Sequence, residues 1–336
     1  MHTGRTGWVL LLASVLIYGV VHIYSPRVLA TWNALRYFDP HRPDSSVLPV
    51  GKHTLTIQHA YSTDLWFPTI PTYRRACMVV VHGLTPDGRH DPRLQELARW
   101  IAWLGVSVYV PHVEELAQFR LDPAIFRRLR RVYARADRDC DAWVLLGISV
   151  GGGPALRTVW MFPQWRHLTG IVLVGTYADA CRMIMIGILG TREHPGPNPA
   201  VRNRLQAALR MWGDQHGWTP SEISNSLRTL HRASREADVR KWCATVPADL
   251  RHFLRALSPA RDVPDTWPTP IWILHSPDDP FIPVYEGRHL FESLRHLHTQ
   301  WVLLPAFRHV ESIRTLSWQT RWKLLWTTWS IFRRLL

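Results

Sequence analysis

Unbroken apolar runs alternate along this chain with stretches whose apolar positions recur every three or four residues. Ala76-Cys77-Met78-Val79-Val80-Val81 is the clearest run, and it leads straight into His82-Gly83. Apolar character over that length predicts a strand buried on both faces of a sheet. Val106–Val110, Ala142–Leu146, Gly170–Val174, Pro270–Leu274 and Gln300–Leu304 read as further strands, while the polar alternation of Lys52–Tyr61 predicts an outer antiparallel one. Between them lie helical patterns. Pro92 to Leu104 repeats Leu94, Leu97, Ala98, Ile101 and Leu104, with Asp91 as cap, Pro92 in the first turn and Gly105 as stop. Asp122-Pro123 opens a helix with Ile125, Phe126, Leu129, Val132, Tyr133 and Ala136 on one face, and Gly151 begins another. Strand and helix alternating at short range predict βαβ units and an α/β fold with a mostly parallel central sheet flanked by helices.

The alternation stops between Ala180 and Pro268, where the apolar spacing is helical only. Thr219-Pro220-Ser221-Glu222 supplies both partners of a capping box there. A helical block at about 181–268 is expected as a cap over one edge of the sheet. The chain then ends in a helix, Ser317–Leu335, whose Trp318, Trp322, Trp326 and Trp329 share a stripe. Packing on the sheet accounts for that stripe. A position in a lipid headgroup layer accounts for it too, given Arg321, Lys323, Arg333 and Arg334 alongside.

The first 30 residues stand apart. Gly7 to Tyr24 carries no Asp, Glu, Lys or Arg and as a helix would reach about 27 Å, close to the bilayer core. Residues 1–30 are therefore expected to be a transmembrane anchor or a signal segment, followed by a Pro- and Ser-rich linker over 31–50 and one domain over 51–336. Arg5 alone precedes the apolar stretch, whereas Arg27, Arg36 and Arg42 follow it. That bias places the domain on the cytoplasmic face; Val28-Leu29-Ala30, which suits a signal peptidase, argues for export. An uncleaved single-pass anchor is the expectation.

Composition changes the picture in three ways. With 46% hydrophobic and 20% charged residues, a chain of 336 residues can bury a core, and disorder as its main state is excluded. Forty Lys and Arg against 26 Asp and Glu give a formal charge of +14, which favours anionic partners. No nucleic-acid-binding motif accompanies that charge, so a membrane surface and a small-molecule or lipid-like substrate are the expected partners, with no obligate protein partner evident. Cys77, Cys140, Cys181 and Cys243 lie far apart without C-x-x-C spacing, so neither a zinc site nor a disulfide scaffold is expected.

The candidate chemistry centres on Gly147-Ile148-Ser149-Val150-Gly151, a G-x-S-x-G pentapeptide between an apolar strand and a helix. A sharp strand-to-helix turn strains the serine backbone and turns its hydroxyl outward, and small flanking residues let strand and helix approach. A serine hydroxyl needs a base, which in turn needs an orienting acid. Open α/β sheets place such groups at the carboxyl ends of their strands. Pro270–Leu274 runs into His275-Ser276-Pro277-Asp278-Asp279, and Gln300–Leu304 into Pro305-Ala306-Phe307-Arg308-His309. The order is Ser149, Asp279 (with Asp278 as the other carboxylate), His309. His275 at its strand end reads as structural, and the other histidines show no metal-ligand spacing.

Those motifs, with Asp279-Pro280-Phe281-Ile282-Pro283 and His82-Gly83 after the third-strand position, resemble the α/β-hydrolase superfamily over roughly residues 50 to 336. The His82 to Arg93 stretch is similar to the dienelactone-hydrolase-like branch, although the nucleophile position holds Ser rather than Cys. The resemblance implies a serine hydrolase without metal or cofactor, cleaving carboxylic esters through an acyl-enzyme. It implies Ser149, His309 and Asp279 as nucleophile, base and acid, with the N–H groups of Leu84 and Val150 as oxyanion hole and His82 and Gly83 shaping the loop. Serine peptidases on the same scaffold and a non-catalytic relative are the alternatives.

Overall fold

The computed structural model describes residues 48–58, 61–69, 74–190, 199–233, 236–305, 307–309, 311–312 and 318–335. The apolar stretch Gly7–Tyr24 and the linker before residue 48 lie outside them. No helix among the described residues is long and apolar enough to cross a membrane.

Eight strands form one sheet in the order β1-β2-β4-β3-β5-β6-β7-β8. They are β1 (Val50–Ile57), β2 (Tyr61–Pro68), β3 (Ala76–Val81), β4 (Ser107–Pro111), β5 (Ala142–Ile148), β6 (Leu168–Val174), β7 (Ile271–His275) and β8 (Thr299–Leu303). The pairings β1–β2 and β2–β4 are antiparallel, and the remaining ones are parallel. The outer antiparallel strand expected over Lys52–Tyr61 is present as the edge strand β1, and the sequence reading missed its partner β2. β2 hid because Thr63 and Asp64, polar but fully buried, interrupt its pattern. Asp64 is held by Lys52 at 2.8 Å and Arg89 at 3.2 Å, which compensates its burial.

The inner strands are apolar throughout because both faces are covered. Val79, Val81, Leu145, Ile171, Leu173 and Ile273 point into one core, shared with α3 (Ala124–Asp139), α4 (Gly152–Met161), α9 (Ala248–Leu257) and α10 (Val284–Leu294). Met78, Val80, Val144, Leu146, Val172 and Leu274 point into the other, under α1 (Pro92–Trp103) and α11 (Trp318–Leu335). A short α2 (Glu114–Ala117) follows β4. α1 begins as its sequence predicts, with Asp91 accepting the Arg93 amide at 3.0 Å and proline at its first position. α11 buries Leu324, Ile331 and Leu335, and turns Trp322 and Trp326 outward, 56% and 62% exposed.

Between β6 and β7 come α5 (Ala180–Leu189), α6 (Pro199–Gln215), α7 (Pro220–Arg232), α8 (Glu236–Thr245) and α9. Thr219 and Glu222 close the capping box of α7. Side-chain bonds fasten the root of this helical block to the sheet. Asp179 caps α5 and meets Arg261 at 3.2 Å, Ser258 accepts the Ala180 amide, and Arg182 reaches the buried Glu286 at 2.8 Å.

The cysteine expectation is also corrected. Cys77 of β3 is bonded to Cys140 at the end of α3, and Cys181 of α5 to Cys243 of α8. The partners lie 63 and 62 residues apart, and only the folded topology brings their Cα atoms to 6.0 and 6.3 Å. Spacing along the chain carries no trace of that.

Candidate active site

β5 is paired on both sides, by β3 and β6, so its carboxyl end is held laterally. The chain leaves it in an abrupt turn. Ser149 has φ 54°, a left-handed conformation that costs a non-glycine residue free energy and throws the side chain clear of the backbone. Two features hold it there. The Thr176 hydroxyl donates to the Ser149 carbonyl at 3.0 Å. Gly151 lies so close to the β3 loop that a Cβ would stand 2.0 Å from the His82 carbonyl oxygen. Side-chain bulk is therefore excluded at that position. α4 follows directly, its N-terminal N–H groups and positive dipole end beside the serine.

The His82-Gly83-Leu84 loop passes alongside. A Cβ on Gly83 would start 2.8 Å from the Ser149 Cβ and 3.3 Å from its Oγ. Leu84 therefore follows a residue in contact with the serine, and Val150 is the residue after it. His82 is buried: its Nε2 accepts the Val113 amide at 3.1 Å, which leaves the proton on Nδ1, 2.8 Å from the Gly83 carbonyl that it donates to. Burial pushes its pKa down to about 4, so at neutral pH the ring is an uncharged brace between the β3 and β4 loops.

At the end of β7, Asp279 is 2% exposed. Its Oδ1 accepts the backbone amides of Phe281 and Ile282, both at 2.9 Å. Its Oδ2 lies 2.6 Å from His309 Nδ1. Asp278 makes a different contact, its amide bonding the Ser276 hydroxyl at 3.3 Å. Of the two carboxylates, Asp279 is the one that meets the histidine. His309 lies between two short paired segments, Phe307–Arg308 and Glu311–Ser312, with φ 59°. That hairpin presents the imidazole at its tip, and Phe281 stands edge-on to the ring at 5.2 Å.

One loop joins the two halves. Gly175 (φ 58°) lies against the Asp279–His309 pair: a Cβ there would be 3.1 Å from His309 Nδ1 and 3.3 Å from Asp279 Oδ2. Its neighbour Thr176 is the residue that holds the Ser149 carbonyl. Sequence reasoning missed both, although a glycine and a hydroxyl at the carboxyl end of β6 occupy the rim where such a site belongs. The Asp279–His309 link is made. No hydrogen bond joins Ser149 Oγ to His309 among the described residues, and such links often tighten only around substrate.

Comparison with known proteins agrees with this architecture. The model of one family, described as serine aminopeptidase, S33, matches residues 72–311. No curated protein matches the chain. Among solved structures, a candidate esterase from Staphylococcus aureus aligns over 89% of this chain and 89% of its own, with 15% identity and a TM-score of 0.52. A Pyrococcus horikoshii acylaminoacyl peptidase aligns over 85% of this chain at 13% identity and a TM-score of 0.49, and the chain spans 41% of its length. A dienelactone hydrolase from Anabaena variabilis aligns over 86% of this chain and 99% of its own, at 12% identity and a TM-score of 0.45. Of these, only the esterase, with a TM-score above 0.5, speaks to the fold, and the family match carries the assignment: the chain belongs to the serine aminopeptidase S33 family of the α/β-hydrolase superfamily.

Proposed function

We propose that this protein is a serine hydrolase that cleaves carboxylic esters through an acyl-enzyme. The observation carrying the reading is the buried Asp279 carboxylate, fixed by two amides and bonded to His309 on the same rim as the strained Ser149. His309 donates Nδ1–H to Asp279, which leaves Nε2 free of its proton and able to take one from the Ser149 hydroxyl. The Ser149 oxygen then bonds the acyl carbon, and the carbonyl oxygen gains a negative charge met by the Leu84 and Val150 N–H groups. The imidazolium returns its proton to the leaving alcohol. Water repeats the sequence from the other side and frees the acid. We read α5 to α9 as a cap that shapes access to this rim, and the exposed Leu84 and Phe281, beside Gly83 and His309, supply apolar contact for an ester.

The family match favours a second reading, in which the bond cleaved is an amide. Both reactions use the same acyl-enzyme, so turnover on a matched ester and amide, with wild type and Ser149→Ala, decides between them. The expected result is faster ester turnover and loss of activity by about 10⁶-fold on removing the nucleophile. Unchanged turnover in Ser149→Ala would remove the whole reading.

We place the protein at a membrane, anchored by Gly7–Tyr24, with the outward Trp322, Lys323 and Trp326 of α11 in support. The two disulfides weigh for an oxidising compartment over the cytoplasmic face expected from the basic residues.

A further inference from the structure

His275 ends β7 with its ring buried, 1% exposed. Its Nε2 stands 2.8 Å from the Ile282 carbonyl oxygen and 3.6 Å from Asp279 Oδ2. A carbonyl can only accept, so Nε2 carries the proton and donates it. Nδ1 has no hydrogen-bonding partner among the described residues, and it faces Gly287 of α10, where a Cβ would stand only 2.3 Å away. Trp301 of β8 covers the ring at 6.0 Å. Burial lowers the pKa of this histidine, which keeps the ring neutral, with its single proton on the carbonyl side.

The residue that receives this bond also serves the catalytic carboxylate. The Ile282 carbonyl accepts from His275, and the Ile282 amide donates to Asp279 Oδ1 at 2.9 Å. One backbone unit is thus pinned from behind while it grips the acid from the front. We propose that His275 is a positioning residue: through Ile282 it fixes the Asp279–Pro283 turn so that the second carboxylate oxygen stays aimed at His309. The proposal rests on the reading of Asp279 and His309 as acid and base. An apolar side chain at position 275 would fill the same volume but leave a buried carbonyl unpaired and the turn free to rotate. The charged or titratable groups facing His275 are Asp279 from its own turn and His309 from the hairpin; α10 presents Gly287 and β8 presents Trp301, neither charged.

The test compares two polar variants of the full chain on a soluble ester, measuring kcat and KM separately. Gln at 275 places an N–H near the Nε2 position, whereas Asn is too short to reach the Ile282 carbonyl. His275→Asn is expected to lower kcat about 10- to 100-fold with KM little changed. His275→Gln is expected to recover most of kcat. Equal losses in the two variants, or wild-type kinetics in His275→Asn, would overturn the proposal. His309→Ala keeps the two readings apart. If it is inactive while His275→Asn is normal, only the positioning role fails; if it turns over like wild type, the acid–base assignment itself fails.

Discussion

The two halves of the candidate site are built by different physics. The nucleophile half is mainly steric: beside one Thr176 hydroxyl bond to its carbonyl, Ser149 keeps a left-handed backbone conformation where strand, helix and loop pack too closely for any side chain at Gly151. The acid half is made of hydrogen bonds: Asp279 is oriented by two amides, His309 and, one step behind, His275. A steric device is rigid and fails abruptly when volume is added. A hydrogen-bonded device can lose alignment while every atom stays roughly in place. The difference teaches that substitutions in the two halves should leave different signatures, in stability for one and in turnover for the other.

Among substitutions that keep the nucleophile and the fold, the largest expected effect falls on the hydrogen-bonded half. Asp279→Asn preserves shape but removes the negative charge and the acceptor for His309, and kcat should fall by about 10⁴ with the melting temperature little changed. Asp278→Asn should stay close to wild type in the same assay, which sharpens the assignment. On the steric half, Gly151→Ala forces a Cβ to within 2.0 Å of a backbone oxygen. It should lower unfolding stability by more than about 3 kcal/mol, measured by denaturant titration, and abolish activity as a consequence. A stable but inactive Gly151→Ala would break the distinction.

The smallest expected effect concerns His82, which bridges the two loops on the nucleophile side. Its folded pKa of about 4 lies below the unfolded value of 6.5. Above 6.5 both states are neutral and nothing changes. Between 6.5 and 4 the unfolded chain binds a proton that the folded chain refuses, so stability falls as pH falls, by on the order of 3 kcal/mol at most, and levels off below 4. Burial lowers His275 in the same direction. The quantity to follow is therefore the wild-type slope minus that of His82→Phe, and a difference of zero would mean that His82 is not a buried neutral group.

Much of this was legible in the sequence where a single force acts. Ala76–Val81 reads as a doubly buried strand because both faces demand apolar side chains, and Ser149 reads as an elbow because strand, glycines and helix follow in order. The sequence favours Asp279 over Asp278 through the register of Ile282 and Pro283, and in the structure the Phe281 and Ile282 amides of that register bond the Asp279 carboxylate. Legibility ended where distant partners supply the compensation. Asp64 disguised β2 because its cations come from Lys52 and Arg89, outside the strand. The disulfides depend on how β3 meets α3 and α5 meets α8, and Thr176 acts through a bond to the Ser149 carbonyl that no spacing announces.

The central claim is that Ser149 becomes a nucleophile because His309 and Asp279 share its rim. Covalent labelling by a fluorophosphonate, followed by mass spectrometry of the modified peptide, tests it most directly. The account expects one adduct per chain on Ser149, none in Ser149→Ala, and labelling slowed by orders of magnitude in His309→Ala. An adduct on another residue, or equal labelling rates in wild type and His309→Ala, would contradict it.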